Sequence, residues 1–249
     1  MSRRNPERIL AAKVVWALFA AGVALALALG QAGVWRAERG AMITLIVAAA
    51  AISVLSTLFG AYGEFRRQRG EALSVHARAI LVPLAFVLQD QTGIDVRDLG
   101  IAAYIRQRVW WWPVRERLVR VYRERPRLAS ASGVRWRPGA GVIGRCVELG
   151  QDVCVDLAGL DELLTGVTAA EWKELDAGLT LGLTFSEYQR LRGRFGVVLA
   201  TPILVEYPTG AQIVGCVAVD GMAGTYDRIS SRDVRAQAAS AAELLAEHF

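Results

Sequence analysis

The stretch Trp136-Arg137-Pro138-Gly139-Ala140-Gly141-Val142-Ile143-Gly144-Arg145-Cys146-Val147-Glu148 decides how the rest of this sequence reads. Its proline fixes one backbone angle and its glycines accept angles closed to other residues, so the chain can turn tightly just before a helix. Gly150-Gln151-Asp152-Val153-Cys154-Val155-Asp156 follows as a short, mostly apolar run. Upstream, residues 101–109 and 118–122 read as strands on either side of a turn region, 110–117, and Arg115, Arg117, Arg120 and Arg123 leave a basic edge. Downstream, residues 197–206 carry Thr201-Pro202-Ile203, and residues 210–220 form a second strand ending in Val217-Ala218-Val219-Asp220. Thr168/Glu171 and Thr184/Glu187 have capping-box spacing, which predicts two short helices around 169–177 and 185–192. Ser230 and Asp233 predict the start of a terminal helix with Val234, Ala238, Ala241 and Leu245 on one face.

In this order and spacing the segments resemble a GAF domain, a widespread small-molecule sensor, over roughly residues 71–249. A related PAS-like sensor fold is the alternative and implies the same class of function. The resemblance implies an α+β domain, a central antiparallel sheet flanked by helices. It makes the apolar run after Gly150 an edge of a ligand pocket and the helices between the two halves its lid. By fold position it implies that Trp136, Arg145, Asp156, Tyr188 and Thr201 line or border that pocket. An arginine there could grip phosphate or carboxylate through its fork of donors. Arg145 also reads as an exposed charge, and Trp136 as plain core. The Cys–His pair of bilin-binding GAF domains is missing, and so is the NKFDE motif of phosphodiesterase-type cyclic-nucleotide sensors; other GAF domains bind cyclic nucleotides with different residues.

Two apolar runs stand ahead of this domain, residues 14–34 and 41–62, each uncharged throughout. A hydrocarbon core of about 30 Å needs roughly 20 helical residues, so both can span a bilayer. Arg3, Arg4, Arg8 and Lys13 precede the first run, Arg36 and Arg39 lie between the two, and Arg66, Arg67, Arg69 and Arg78 follow the second. The positive-inside rule then places both ends of a two-helix hairpin in the cytoplasm of a multi-pass inner-membrane protein. The other reading of the first run is a signal peptide, with Ala28-Leu29-Gly30 as a loose cleavage site. Gly22, Ala26 and Gly30, like Ala49, Ser53 and Thr57, recur every four residues and suit close helix packing, within the hairpin or in a homo-oligomer. Without a charge inside either span, a proton relay or transporter is disfavoured. Residues 64–71 can carry the second span onward as a helix. The apolar stretch 77–88, too short for a third span, reads as a buried or dimer-forming helix that Pro83 should kink or start.

The whole chain of 249 residues is 53% hydrophobic with a formal charge of +5, and its lysines are Lys13 and Lys173 alone. Cys146, Cys154 and Cys216 form no CxxC pair, and His76 and His248 have no second ligand nearby in sequence. No metal site, cofactor or disulfide framework is expected. No nucleophile–base constellation or nucleotide-phosphate loop is present, so the sequence is read as a non-enzyme. Trp110-Trp111-Trp112-Pro113, set among arginines, reads either as a contact with the inner leaflet or as a core or dimer contact. No nucleic-acid motif accompanies the basic residues.

With no catalytic residues and no downstream effector, the membrane segment is the candidate output. The layout resembles two-span effectors of Pycsar-type antiphage signalling. In those, an infection-triggered cyclic pyrimidine nucleotide leads to impairment of the inner membrane. That resemblance implies a cyclic nucleotide as the small-molecule partner and abortive infection as the outcome. The alternative is a tethered sensor that docks a separate kinase or regulator. A third reading is a reductase of the free-methionine-sulfoxide kind, with Cys146 and Cys154 as its candidate cysteines.

Overall fold

The computed structural model describes residues 39–108, 116–124 and 133–249, together with Gly22, Ala24 and Ala28. The first apolar run (those three residues apart), the connection 35–38 and the Trp110–Trp112 tip lie outside the described residues. So does the question of a two-helix hairpin. In chain order the elements are α1 (Arg39–Thr92), β1 (Gly100–Arg108), β2 (Glu116–Glu124), α2 (Gly141–Leu149), β3 (Val153–Asp156), α3 (Leu157–Leu163), a 3-10 turn (Glu171–Lys173), α4 (Ala177–Thr180), α5 (Phe185–Leu191), β4 (Val197–Tyr207), β5 (Gly210–Gly221), α6 (Tyr226–Ile229) and α7 (Arg232–Ala246).

The chain divides between Gly70 and Glu71 into two compact units. The first holds the start of α1, where Ile43, Ile46, Val47, Val54, Leu55, Leu58 and Phe59 are all exposed. Among the described residues, α1 is one helix long and apolar enough to cross a membrane. The Thr57 hydroxyl donates back to the Ser53 carbonyl at 2.9 Å, which keeps a polar side chain satisfied on an apolar surface.

The second unit is built on a five-stranded antiparallel sheet in the order β2-β1-β5-β4-β3. Side chains alternate across it with a period of two. On one face Ile101, Ala103, Val197, Leu199, Ile203, Val217 and Val219 meet a helical layer, to which α1 gives Leu81, Leu84 and Leu88 and α7 gives Val234, Ala238, Ala241 and Leu245. On the other, Ala102, Tyr104, Val198, Ala200, Cys216 and Ala218 meet α2 through Val142, Ile143, Cys146 and Val147. A third small core lies in the insertion between β3 and β4: Leu164, Trp172, Leu183 and Tyr188 close around Ala140. This is the α+β arrangement, central antiparallel sheet and flanking helices, that the GAF resemblance implies.

Several local expectations are corrected. Of the two roles expected of Pro83, kinking a helix or starting one, it does not start one; α1 runs through it, with the proline exposed and its neighbours Leu81, Leu84 and Ala85 held in the core. The Thr168–Glu171 cap forms, through a 2.8 Å bond from the Thr168 amide to Glu171, but it opens a single 3-10 turn. Asp176 then adopts an extended backbone and caps α4, which stops any longer helix. At the C-terminal helix the capping residue is Ser231, which accepts from the Val234 amide; Ser230 closes the preceding α6.

Candidate functional site

α2 begins where the opening stretch turns. Gly141 has φ +68° and its amide donates to the Leu181 carbonyl at 2.7 Å, tying the turn to the insertion. A Cβ on Gly141 would run into the Trp136 ring, so the glycine lets that indole lie flat against the turn. Between the turn, the α2 face of the sheet and the insertion lies a cavity that opens to solvent.

The floor of the cavity is sheet: Ala102 and Tyr104 from β1, Val198 from β4, and Ala218 and Asp220 from β5. Small side chains at Ala102 and Ala218 leave the room that larger ones would fill. Val142, Ile143 and Trp136 form one wall. Leu157, Leu160, Leu181, Leu183 and Tyr188 form the opposite one, so the insertion is a lid. Charge is confined to a few places. Arg120 and Arg123 reach in from β2, Arg192 and Arg194 from the segment after α5, and two carboxylates, Asp161 and Asp220, complete the lining. Four arginines against two aspartates leave the cavity net basic.

Two tyrosines set its polarity. Burial pushes the Tyr104 phenol up to about 12, while Arg120 and Arg123 pull the other way. Tyr104 also meets Trp136 edge-on at 6.3 Å. Tyr188 is only 5% exposed, and its ring stacks on Trp172 at 4.5 Å. Its hydroxyl makes no hydrogen bond of good geometry among the described residues, although the Asp161 carboxylate lies near it. Burial first, and then Asp161, raise this phenol to about 12. Asp161 itself is held by the Gly193 amide at 2.8 Å.

The lid is latched beside these residues. Arg137, next to Trp136, makes a two-pronged ion pair with Glu187, next to Tyr188, at 2.9 and 3.2 Å. The same guanidinium donates to the Gly182 carbonyl at 3.2 Å, and Glu187 also completes the Thr184 capping box. Partial burial of Glu187 works against its charge, but the Arg137 and Thr184 hydrogen bonds prevail and hold the carboxyl below its ordinary range.

Of the five residues named from fold position, Trp136 and Tyr188 line the cavity and the other three lie off it. Arg145 donates to the Gly178 carbonyl at 3.3 Å, tying α2 to α4. Asp156 caps α3 by accepting from the Gly159 amide at 3.2 Å. Thr201 has the same parity on β4 as Val197, Leu199 and Ile203, so it points into the α1/α7 layer on the far face of the sheet. Arg120, Arg123, Asp161, Arg192, Arg194 and Asp220 also line the cavity, and fold position assigned none of them to it. The strand register that sets Arg120 opposite Tyr104 is what brings the first of them to the site.

No protein-family model matches this sequence, and neither does any curated protein sequence. Solved structures are similar at low identity. A type II free methionine-R-sulfoxide reductase from Thermoplasma acidophilum is 13% identical, covering 71% of this chain and 94% of that one, with a TM-score of 0.42. The GAF domain region of a Geobacter sulfurreducens protein is 15% identical over 68% of this chain and 95% of that one, TM-score 0.37. A Staphylococcus aureus NreA protein mutated in its nitrate-binding site is 15% identical over 61% and 88%, TM-score 0.36.

Proposed function

We propose that residues 71–249 are a sensor for a small anionic molecule with a flat, largely apolar body, and that a nucleotide, cyclic nucleotides included, is the ligand class. One observation carries this reading: a lidded cavity whose interior is aromatic and aliphatic, and whose charges are predominantly arginine. Apolar walls with a few convergent polar groups are the usual make-up of a small-molecule site. Guanidinium groups pair with phosphate oxygens through two parallel hydrogen bonds, and a base ring would lie among Tyr104, Trp136 and Tyr188. The reading is of a binding domain and assigns no catalytic step.

The apolar N-terminal segments are the proposed membrane anchor, a two-span hairpin in the inner membrane, and also the output. A ligand that binds one state of the domain better than another shifts the population between them, by no more than its difference in affinity. In its most specific form the proposal is an antiviral effector, in which ligand binding leads to membrane impairment and abortive infection. The two-span layout ahead of a sensor without catalytic residues supports it.

Two measurements on the full-length protein test this. Thermal shift in detergent against a panel of nucleoside monophosphates and cyclic nucleotides should raise the melting temperature for at least one member, because a ligand of the folded state stabilises it. Cells expressing the chain should lose membrane potential when that nucleotide is supplied. No shift across the panel sinks the ligand class; a shift with unchanged potential sinks the effector and leaves a tethered sensor that signals through a separate protein.

A further inference from the structure

Two of the three cysteines, which form no motif in sequence, come together in the core. Cys146 lies on α2 and Cys216 on β5, and neither has any exposed surface. Strand parity explains the meeting. Cys216 stands opposite Tyr104 in the ladder and shares with it and with Ala218 the face of the sheet that α2 covers. The Cys216 thiol donates to the Ile143 carbonyl at 3.9 Å, and Ile143 lies about one helical turn before Cys146. The Cys146 thiol completes the contact. Burial first, and then the hydrogen bond and charge of Cys146, hold Cys216 well above the ordinary thiol range. Cys154 takes no part, because it packs against the α1/α7 layer on the opposite face of the sheet.

Two thiols and nothing else narrow the choice of ion. Among the described residues no group of three or more histidine, cysteine, aspartate or glutamate side chains is placed to hold a metal. Zinc takes four ligands, and magnesium and calcium take six or more oxygens. Cu(I) is soft, prefers thiolate sulfur, and is satisfied by two such ligands in line. With bonds as long as the roughly 2.3 Å of zinc thiolates, a linear unit spans about 4.6 Å between sulfurs, so two thiols in contact need only separate slightly to admit the ion. Binding exchanges two protons for one cation: two S–H bonds break, two S–Cu bonds form, both protons leave to solvent, and nothing is oxidised or reduced. A thiol that ligates a metal is deprotonated outright, even where burial keeps the free thiol protonated. The bound unit carries one negative charge where two bare thiolates would carry two, which lowers the cost of burial. The cavity gives the ion a way in, since Ile143, which touches Cys216, and Ala218, on the same face of β5, both line it.

We propose that Cys146 and Cys216 form a buried two-thiolate site for Cu(I) that ties α2 to β5. Neither cysteine lines the cavity, so the site stands or falls apart from the nucleotide reading.

Competition for Cu(I) tests the proposal on the full-length protein in detergent, without oxygen and with ascorbate as reductant, against the coloured chelator bicinchoninate. Wild type should withdraw one Cu(I) per chain, and X-ray absorption of the loaded protein should show two sulfur ligands with no nitrogen or oxygen. Losing an outer partner of a metal ligand costs about 10- to 100-fold in affinity, so losing a ligand itself, in Cys146→Ala or Cys216→Ala, should cost at least about 100-fold. Cys154→Ala should bind as wild type does. No withdrawal of Cu(I) by wild type overturns the proposal. So does a shell of three or more ligands, or an equal loss of binding in Cys154→Ala. The absorption measurement uses the unaltered chain and therefore decides the question even where an alanine in the core impairs folding, which circular dichroism of each variant checks.

Discussion

Replacing Tyr188 by phenylalanine tests the reading of the cavity from two directions at once. The ring is buried and stacks on Trp172, and phenylalanine keeps both features. What is removed is a hydroxyl whose oxygen is buried without a well-formed hydrogen bond. Leaving such a group unpaired costs about 1–3 kcal/mol of desolvation. Tyr188→Phe should therefore stabilise the unliganded domain by about 1 kcal/mol, the low end being appropriate because Asp161 lies near the phenol and offsets part of the penalty. For a domain of this size that is a rise of about 2–4 °C in melting temperature. With ligand the sign reverses. If the hydroxyl is held ready for a ligand atom, its loss removes one hydrogen bond, about 0.5–1.5 kcal/mol, or roughly 2- to 12-fold in affinity. Differential scanning fluorimetry of wild type and variant, with and without the nucleotide that shifts wild type most, measures both arms. A fall in the melting temperature of the unliganded variant would refute the reasoning, because it would mean that Asp161 already satisfies the phenol and that the hydroxyl is structural.

Glu187→Gln removes the charge that latches the lid, and loss of a half-buried, two-pronged pair should cost about 1–3 kcal/mol in denaturant melts. Because the folded protein holds the Glu187 carboxyl below its ordinary value of 4.5, its contribution is fully present above that value and disappears as pH falls through the lower folded one; wild type should lose that increment in acid melts, and the variant should not. Gly182→Ala should destabilise by more than the roughly 1 kcal/mol of a simple conformational effect, since φ there is +64° and a Cβ would collide with the Gly139 carbonyl. Arg120→Ala should weaken nucleotide binding about tenfold in calorimetry, with a shallower dependence on salt, while moving stability by no more than about 0.5 kcal/mol. Leu81→Ala, at a fully buried position of α1, should cost about 2–5 kcal/mol by chemical denaturation.

The sheet was legible because burial imposes alternation. Expected strands at 101–109 and 118–122 correspond to β1 and β2, and Val234, Ala238, Ala241 and Leu245 form the buried face of α7 as their spacing requires. The site was legible only in part. Trp136 and Tyr188 each follow a local signal, a glycine-rich turn and a capping box, that survives into the structure. Thr201 was misplaced because β4 is buried on both faces: with Val197, Val198, Leu199 and Ala200 all apolar, nothing in the run says which parity looks into the cavity. Asp156 carried a capping signal of its own, an aspartate three residues before Gly159, and the structure uses it that way. The arginines were seen as a basic edge, but strand pairing decides where an edge points. Arg192 and Arg194 come from irregular chain, where no period exists to be read, and Asp161 from α3, a short helix with no buried face to mark a period.

The placement of the latch suggests how occupancy of the cavity would be felt elsewhere in the domain. Both cavity-lining aromatics that the sequence singled out are chain neighbours of the pair that holds the lid: Trp136 precedes Arg137, and Glu187 precedes Tyr188. A ligand wedged between the two rings cannot move either one without loading the ion pair. Strands β1 and β5 then offer the route onward, because consecutive residues serve opposite faces: Tyr104 and Ala218 line the cavity, while Ala103, Val217 and Val219 support α1 and α7. The energetic demand on such a route is definite. Shifting an equilibrium from 1:99 to 99:1 requires about 10⁴-fold tighter binding to one state, roughly 5.5 kcal/mol. One hydrogen bond to Tyr188 cannot supply that. Two charge-assisted contacts to arginine at about 1.5–3 kcal/mol each, together with ring stacking at about 0.5–1.5 kcal/mol, can reach it if the ligand makes them in one state only. Arg120 and Arg192 stand on different bodies, the sheet edge and the lid, so a single anionic group that bridges them would make both contacts only with the lid closed.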